Sequence, residues 1–259
     1  MPEVSGLTLL KALIERLPRE STVYLGDTAR VPYGTKSAEV VTRYSLKNAE
    51  LLMEHGIKAL VVACNTASAV ALPALEKALS IPVVGVIEAG AVTAAKVSAT
   101  GKVAVIGTPG TIASGAYQRA LAATRAWQEM RVKSCPLFVP LAEEGWTEGP
   151  VPTLVAKEYL TGFIDSGIDT LVLGCTHYPL LRGVVQHVVG PSVTLVDSGK
   201  ATAERVETLL KSAGMLNDGS TPVNRKFLVT DVPERVLEVS ARFLGQRLTS
   251  AQQVDLKFS

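Results

Sequence analysis

Two stretches of this chain end in a cysteine that is followed by short hydrogen-bonding side chains. Residues 56–66 align without a gap on residues 167–177, so that Cys64 and Cys175 occupy equivalent positions. Each stretch is a short apolar run of the kind that forms a buried β-strand. Two thiols at matched strand ends suit chemistry in which one face of a substrate carbon loses a proton and the opposite face gains one.

The rest of the sequence alternates between helical and strand-like apolar spacing, which predicts parallel sheets flanked by helices. The predicted helices cover residues 7–17, 37–55, 66–79, 114–124, 151–166, 180–189, 201–213 and 233–244. Besides the two cysteine segments, the predicted strands cover residues 21–25, 82–87, 102–106, 135–139, 193–196 and 226–229.

The two cysteine segments are about one small domain apart. We therefore predict an α/β fold of two similar lobes, with mainly parallel sheets flanked by helices and an active site in the cleft between the lobes. Residues 1–93 plus 204–259 form the predicted first lobe, and residues 94–203 form the second. Residues 88–99 and 197–201 are the predicted hinges. Ligands of such sheets bind at the carboxyl ends of the strands, where both cysteines fall.

Composition narrows the class of protein further. The 259 residues are 47% hydrophobic and only 19% charged, which favours a folded core over disorder. A net charge of +2 without a dense basic block indicates neither nucleic acid nor an anionic membrane as a partner. The first residues lack the pattern of a signal peptide, and no apolar run approaches the ~20 residues of a membrane span. Three cysteines favour a reducing compartment, which predicts a cytoplasmic protein.

Other interpretations of the cysteines stay open at this point. Cys64 and Cys175 could be buried packing residues, although the repeat argues against it. A disulfide between them is unfavourable in a reducing compartment, and zinc would need more closely spaced ligands than these cysteines and one nearby histidine provide. Cys135 begins a predicted strand without polar residues after it, and we predict that it is structural.

The residues beside the two thiols extend the candidate site. His177 could tune the ionisation of Cys175, or it could only cap a helix. Asn65, Thr66 and Thr176 could bind an amino or carboxylate group, or they could be N-caps, and both roles can coexist. The loop at residues 32–34 could offer backbone N–H groups to a carboxylate. Residues 107–111 could cradle an anion, although they match neither G-x-G-x-x-G nor a P-loop.

These motifs resemble the signatures of glutamate racemases in the aspartate/glutamate racemase superfamily. The resemblance runs from about Val4 to residues 231–235. Three segments carry it: Gly26-Asp27-Thr28-Ala29-Arg30-Val31-Pro32-Tyr33-Gly34, Ala63-Cys64-Asn65-Thr66-Ala67-Ser68 and Gly174-Cys175-Thr176-His177-Tyr178-Pro179-Leu180-Leu181.

The resemblance implies an isomerase that interconverts L- and D-glutamate without pyridoxal phosphate or a metal, and that supplies D-glutamate for peptidoglycan. It implies that Cys64 and Cys175 are the acid/base thiols and that Glu143, or its neighbour Glu144, is an acidic helper near the second thiol. The residues implied to hold the amino acid are Tyr33, Gly34, Asn65, Thr66, Thr176 and His177. A homodimer is a further expectation. The alternatives are a racemase of aspartate or another amino acid, and a catalytically impaired homologue that acts as a binding protein.

The chain departs from the family pattern near its start. Family members begin with a strand that ends in Asp-Ser-Gly, whereas the match here begins at Val4. We do not assign the role of that aspartate to Asp27, which follows a different strand. Loss of a central strand would expose backbone groups and core. We therefore favour a misplaced start codon over a natural truncation, and expect an upstream reading frame that encodes a short apolar strand ending in Asp-Ser-Gly.

Overall fold

A computed structural model describes residues 6–256, so Val4, where the family resemblance begins, lies outside the described residues. The helices are α1 (Gly6–Arg16), α2 (Ala38–Met53), α3 (Asn65–Val70), α4 (Leu72–Ala78), α5 (Val86–Val97), α6 (Pro109–Ala113), α7 (Ala116–Ala122), α8 (Phe138–Glu144), α9 (Pro150–Ile164), α10 (Arg182–Val189), α11 (Ser198–Ser212) and α12 (Pro233–Leu244). The strands are β1 (Thr22–Gly26), β2 (Leu60–Val62), β3 (Val83–Gly85), β4 (Lys102–Gly107), β5 (Glu129–Ser134), β6 (Thr170–Gly174), β7 (Thr194–Asp197), β8 (Arg225–Val229) and β9 (Gln252–Gln253). None of these helices combines the length and apolar character that a membrane span requires.

The strands form three sheets, and each pairing among the described residues is parallel. One sheet has four strands in the order β5-β4-β6-β7, another has the order β1-β8-β9, and the third pairs β2 with β3. The prediction of an α/β fold with mainly parallel sheets is therefore confirmed. The division of the chain at residues 93/94 and 203/204 stays a prediction.

The four-stranded sheet is covered by helices on both faces. Side chains alternate across a strand. Ile106, Leu171 and Leu173 therefore pack in one layer with α8, α9 and α10, whereas Val105 and Val172 pack in the opposite layer with α5 and α7. β6 is buried along its whole length. This rigid central strand ends at Gly174, directly before Cys175.

A cavity of about 840 Å³ lies between β1 and β2, which belong to different sheets. It runs along both strands, and α1 and α2 also contribute residues to its wall. The lining is largely apolar and includes Leu10, Leu13, Val23, Leu25, Ala49, Leu52, Leu60 and Val62. Gly6 and Cys64 also line this cavity, which therefore extends from the first turn of α1 to one of the two candidate thiols.

The predicted strand at residues 135–139 is wrong. The strand is β5, which ends at Ser134, and α8 begins three residues after Cys135. β5 pairs only with β4 among the described strands and carries Arg131 and Lys133, so it is a polar edge strand. A strand with such charged residues lacks the apolar run by which the other strands are recognised in the sequence.

Other element boundaries also differ from prediction. Most of the crossing predicted at residues 88–99 is helix α5, which begins at Val86 and shortens the preceding strand. The helix predicted at residues 66–79 is interrupted at Ala71, where α3 ends and α4 begins. Pro73 lies in the first turn of α4, a position that tolerates proline because no intrahelical N–H bond is needed there.

The carboxylate of Asp169 joins the start of β6 to the loop before β4. It accepts hydrogen bonds from the Thr100 backbone N–H at 2.5 Å, the Ser98 hydroxyl at 2.7 Å and the Thr170 hydroxyl at 2.8 Å. Burial works to raise the pKa of Asp169, but these hydrogen bonds outweigh it and lower the pKa to about 2. The folded-state pKa thus lies below the unfolded value of ~3.9.

We therefore expect Asp169 to stabilise the fold above about pH 4, with the stabilisation lost as the pH falls toward 2. Asp169→Asn should lower the thermal unfolding midpoint at pH 7, and the difference from the original protein should shrink near pH 2.5. Asp165→Asn, which changes an exposed aspartate nearby, is the matched control. A midpoint difference for Asp169→Asn that does not change with pH would contradict this account.

Candidate active site

Cys175 lies at the carboxyl end of β6 and contacts His177. The Cys175 Sγ atom is 3.6 Å from His177 Nδ1, and His177 Nε2 is 3.1 Å from Glu143 Oε1. Cys175 and His177 are 6% and 1% exposed, and the Glu143 side chain is 9% exposed. The thiol, the imidazole and the carboxylate thus contact one another in that order and are almost completely shielded from solvent.

The order of these three groups determines which nitrogen of His177 carries a hydrogen. An ionised carboxylate only accepts hydrogen bonds, so the hydrogen between Glu143 and His177 lies on Nε2. In neutral His177, Nδ1 then carries a lone pair that can accept the thiol hydrogen of Cys175. In the imidazolium form, Nδ1–H can instead donate to the thiolate. The same geometry therefore serves both the thiol and the thiolate of Cys175.

Glu143 reaches His177 because it lies in the last turn of α8. This helix ends at Glu144 and is capped by Gly145, which adopts the left-handed conformation with φ of 79°. Glu144, the alternative from the sequence, is exposed and has no described contact with His177. The structure thus brings together Cys175, His177 and Glu143.

Cys64 follows β2 and occupies the N-cap of α3, whereas the sequence had offered Asn65 and Thr66 as N-caps. It is half-buried, whereas Asn65 and Thr66 in the first turn of α3 are almost fully buried. The Cys64 carbonyl accepts a hydrogen bond from the Ser68 N–H at 2.8 Å, which fixes the backbone that carries the thiol. The equivalent element after Cys175 is a 3₁₀ turn at Tyr178–Leu181.

Tyr117 links the two cysteine segments. Its hydroxyl donates to Asn65 Oδ1 at 2.7 Å, and its ring lies against Gly174, where an added Cβ would meet the ring at 2.9 Å. Burial raises the pKa of Tyr117, so the hydroxyl stays protonated and acts as a donor. Helix α1 also contacts the second cysteine segment, because the Thr8 hydroxyl donates a hydrogen bond to the Thr176 carbonyl at 3.0 Å.

Three threonines connect the Cys64 segment to the loop after β4. The Thr66 hydroxyl is 2.9 Å from that of Thr108 and 3.2 Å from that of Thr111, and the latter two are 3.0 Å apart. Gly34 lies against the same loop, since a Cβ at this position would be 2.9 Å from Thr108 Cβ. The structure thus brings Gly34 and Thr66 together at residues 107–111, the segment that the sequence offered as an anion cradle.

Tyr33 is less accessible than its predicted substrate role suggests. Its hydroxyl donates to Asp27 Oδ2 at 2.5 Å and accepts from Asn48 Nδ2 at 3.1 Å, and the residue is 5% exposed. Burial and the neighbouring Asp27 carboxylate raise the pKa of Tyr33, so its hydroxyl remains neutral. Arg30 and Thr230 also donate to Asp27. The Tyr33 side chain is therefore already occupied, and only the backbone of this residue is available to bind a ligand.

Cys135 directly follows the edge strand β5 and belongs to neither of the two matched segments. It is fully buried in the apolar layer beside α8 and α9. Burial raises the pKa of its thiol to about 12, only partly offset by Lys133. This cysteine therefore stays protonated at neutral pH and is a poor base. Among residues 6–256, no cluster of three or more His, Cys, Asp or Glu side chains is arranged to hold a metal ion.

The sequence model of the Asp/Glu/hydantoin racemase family matches residues 2–206. The chain belongs to this family. Over 254 residues this racemase-family protein is 54% identical to the glutamate racemase of Geobacter metallireducens, a match that covers 98% of this chain and 94% of the relative.

Solved structures of glutamate racemases also match this racemase-family protein. The one from Bacillus anthracis matches with a TM-score of 0.92 and 40% identity. The one from Francisella tularensis, solved in complex with D-glutamate, matches with a TM-score of 0.90 and 37% identity. Each match covers 98% of this chain and 94% of the solved chain. The two-lobed architecture expected from the sequence is that of these structures.

Proposed function

We propose that this protein interconverts L- and D-glutamate with Cys64 and Cys175 as its two acid/base groups. The observation that carries the proposal is the pair of cysteines at matched strand ends, joined through the buried contacts of Tyr117 with Asn65 and Gly174. The glutamate racemases to which the chain is similar support glutamate as the substrate.

In one direction, Cys175 acts as the base. His177 Nδ1 takes the proton of the Cys175 thiol, and the thiolate then removes the α-hydrogen of glutamate as a proton. Cys64, as a thiol, delivers its own proton to the opposite face of the α-carbon. Glu143 stabilises the imidazolium that forms between these steps. The roles of the thiols reverse for the other enantiomer. Positioned acid/base groups contribute about 10²–10⁴-fold each to such a reaction.

The groups around the thiols suit an amino acid. Asn65 is 2% exposed, and its Nδ2 has no hydrogen-bond partner among the described residues, although its Oδ1 is satisfied. A buried amide N–H without a partner is costly, and a substrate carboxylate would satisfy it. We propose that Asn65, Thr66, Thr176 and the backbone at Gly34 hold the substrate, which leaves both faces of its α-carbon to the thiols.

We further propose that the protein works in the cytoplasm, supplies D-glutamate for peptidoglycan and forms a homodimer. Three free cysteines, with no disulfide among the described residues, favour a reducing compartment. The homodimer rests on the family resemblance alone. It can be tested by light scattering, for which a monomer at micromolar concentration is the contradicting result.

The proposal is tested by incubating the protein with L-glutamate and, separately, with L-aspartate, and following both enantiomers by chiral chromatography. We expect equal amounts of D- and L-glutamate at equilibrium, because enantiomers have the same free energy in water, and a much slower conversion of aspartate. Conversion of aspartate alone would contradict the proposal and show that the protein is a racemase of aspartate. A folded protein that converts neither would support a binding role instead.

A further inference from the structure

Helix α12 reaches the Cys175 side of the site from the sheet that contains β1. It follows β8 in the chain and packs on α1 in an apolar cluster that includes Leu7, Leu10 and Val236. Leu180, from the turn after His177, packs on the same cluster. The last turn of α12 is therefore held against the segment that carries Cys175 and His177.

Phe243 in this turn contacts the imidazole of His177. The two ring centroids are 5.8 Å apart with an interplanar angle of 86°, an edge-to-face arrangement. Both residues are almost completely buried. Because the imidazole must keep Nδ1 toward Cys175 and Nε2 toward Glu143, a rigid ring against it restricts rotations that would break either contact.

The adjacent residue, Arg242, contacts the helix that carries Glu143. Its guanidinium donates a hydrogen bond to the Glu143 backbone carbonyl at the end of α8. It also lies over Gly145, where a Cβ would be 2.9 Å from the guanidinium carbon. A cation near the end of a helix satisfies terminal carbonyls and interacts favourably with the helix dipole. Arg242 thereby fixes the turn from which Glu143 reaches His177.

We propose that Arg242 and Phe243 are positioning residues for the His177–Glu143 pair. The effect of this positioning on proton exchange rests on the proposed two-thiol reaction. Its effect on the His177 imidazole does not. Neither residue touches a reacting atom. Each constrains one member of the pair that exchanges a proton with Cys175, and neither has a described contact with Cys64.

The kinetic test isolates the two halves of the reaction. In a Cys64→Ala background, exchange of the α-hydrogen of glutamate for solvent deuterium reports on Cys175, and in a Cys175→Ala background it reports on Cys64. We expect Arg242→Ala and Phe243→Leu each to slow the Cys175 exchange about 10-fold and to change the Cys64 exchange less than 2-fold. Arg242→Lys, which keeps the cation, should recover part of the rate. Equal slowing of both exchanges would overturn the proposal.

Matched controls separate positioning from packing. Arg235→Ala removes an exposed arginine from the same helix, and Phe227→Leu removes a ring from the same apolar cluster without touching His177. Both controls should leave the two exchange rates unchanged. If Phe227→Leu slowed the Cys175 exchange as much as Phe243→Leu does, the effect would be one of packing and the proposal would fail.

A second measurement does not depend on turnover. Long-range ¹H–¹⁵N NMR of His177 should show a single state with hydrogen on Nε2, and Arg242→Ala should give a mixture of Nδ1–H and Nε2–H tautomers. An unchanged His177 spectrum in both Arg242→Ala and Phe243→Leu would overturn the inference. If instead the spectrum responds and glutamate does not react, the proposed function fails while the positioning role stands.

Discussion

Replacing either Cys64 or Cys175 with alanine should lower the rate of glutamate racemisation by at least about 10³-fold. Each thiol is the group proposed to exchange a proton with one face of the α-carbon, and a methyl group cannot replace it. Each variant should nevertheless exchange the α-hydrogen of one enantiomer with solvent deuterium, because the remaining thiol can remove a proton and return another to the same face. The two variants should select opposite enantiomers.

Cys135→Ala is the matched control for these variants. It removes the third thiol, which is fully buried and stays protonated at neutral pH. We expect it to cost some stability, since it removes a buried group, but to keep racemisation within about 2-fold. Normal turnover by Cys64→Ala or by Cys175→Ala would refute the two-thiol scheme.

Fusing an apolar strand-forming segment ahead of Met1 should raise the thermal unfolding midpoint by on the order of 10 °C. The cavity between β1 and β2 is largely apolar, and helices α1 and α2 also line it. Gly6, at the start of α1, lies near Ala63 at the carboxyl end of β2, so a parallel strand would end where α1 begins. Five buried Val or Ile side chains at about 1.5–3 kcal/mol each would exceed the ordering cost by about 3 kcal/mol. This gain corresponds to the stated shift in midpoint.

A Gly/Ser segment of the same length is the control for the fusion. It can reach the same cavity but has no apolar side chains to bury there. Hydrogen exchange at β1 and β2 should slow in the apolar fusion and stay unchanged in the control. Equal midpoints for the two fusions would show that the cavity does not accept a strand.

The sequence predicted the parts of the fold that rest on local apolar pattern. The strand before Cys175 is buried on both faces and therefore consists of consecutive apolar residues, and α12 has a strong helical pattern and was predicted at its observed bounds. β5 was missed because an edge strand that carries Arg131 and Lys133 has no such pattern. That segment is a strand because it pairs with β4, and the spacing of apolar residues in the sequence does not reveal this pairing.

The candidate site divides in a similar way. The contact of Cys175 with His177 is local, so their spacing of two residues already indicated it. Glu143 came from the family resemblance, and the structure separates it from Glu144, because Glu143 contacts His177 whereas Glu144 is exposed. Tyr117 and Phe243 were missed because each is an aromatic residue on the apolar face of a helix, which by itself predicts only packing. Their contacts with the site depend on tertiary structure.

The central claim is that two different thiols serve opposite faces of one α-carbon, and isotope incorporation during the first turnovers in D₂O tests it most directly. Starting from unlabelled L-glutamate, NMR and chiral separation should find deuterium at the α-carbon of all D-glutamate formed, because the second thiol carries a solvent-derived deuteron. The remaining L-glutamate should stay almost free of deuterium at this stage. D-glutamate that retains the original α-hydrogen would mean that a single base returns the same proton to the opposite face, and it would contradict the account.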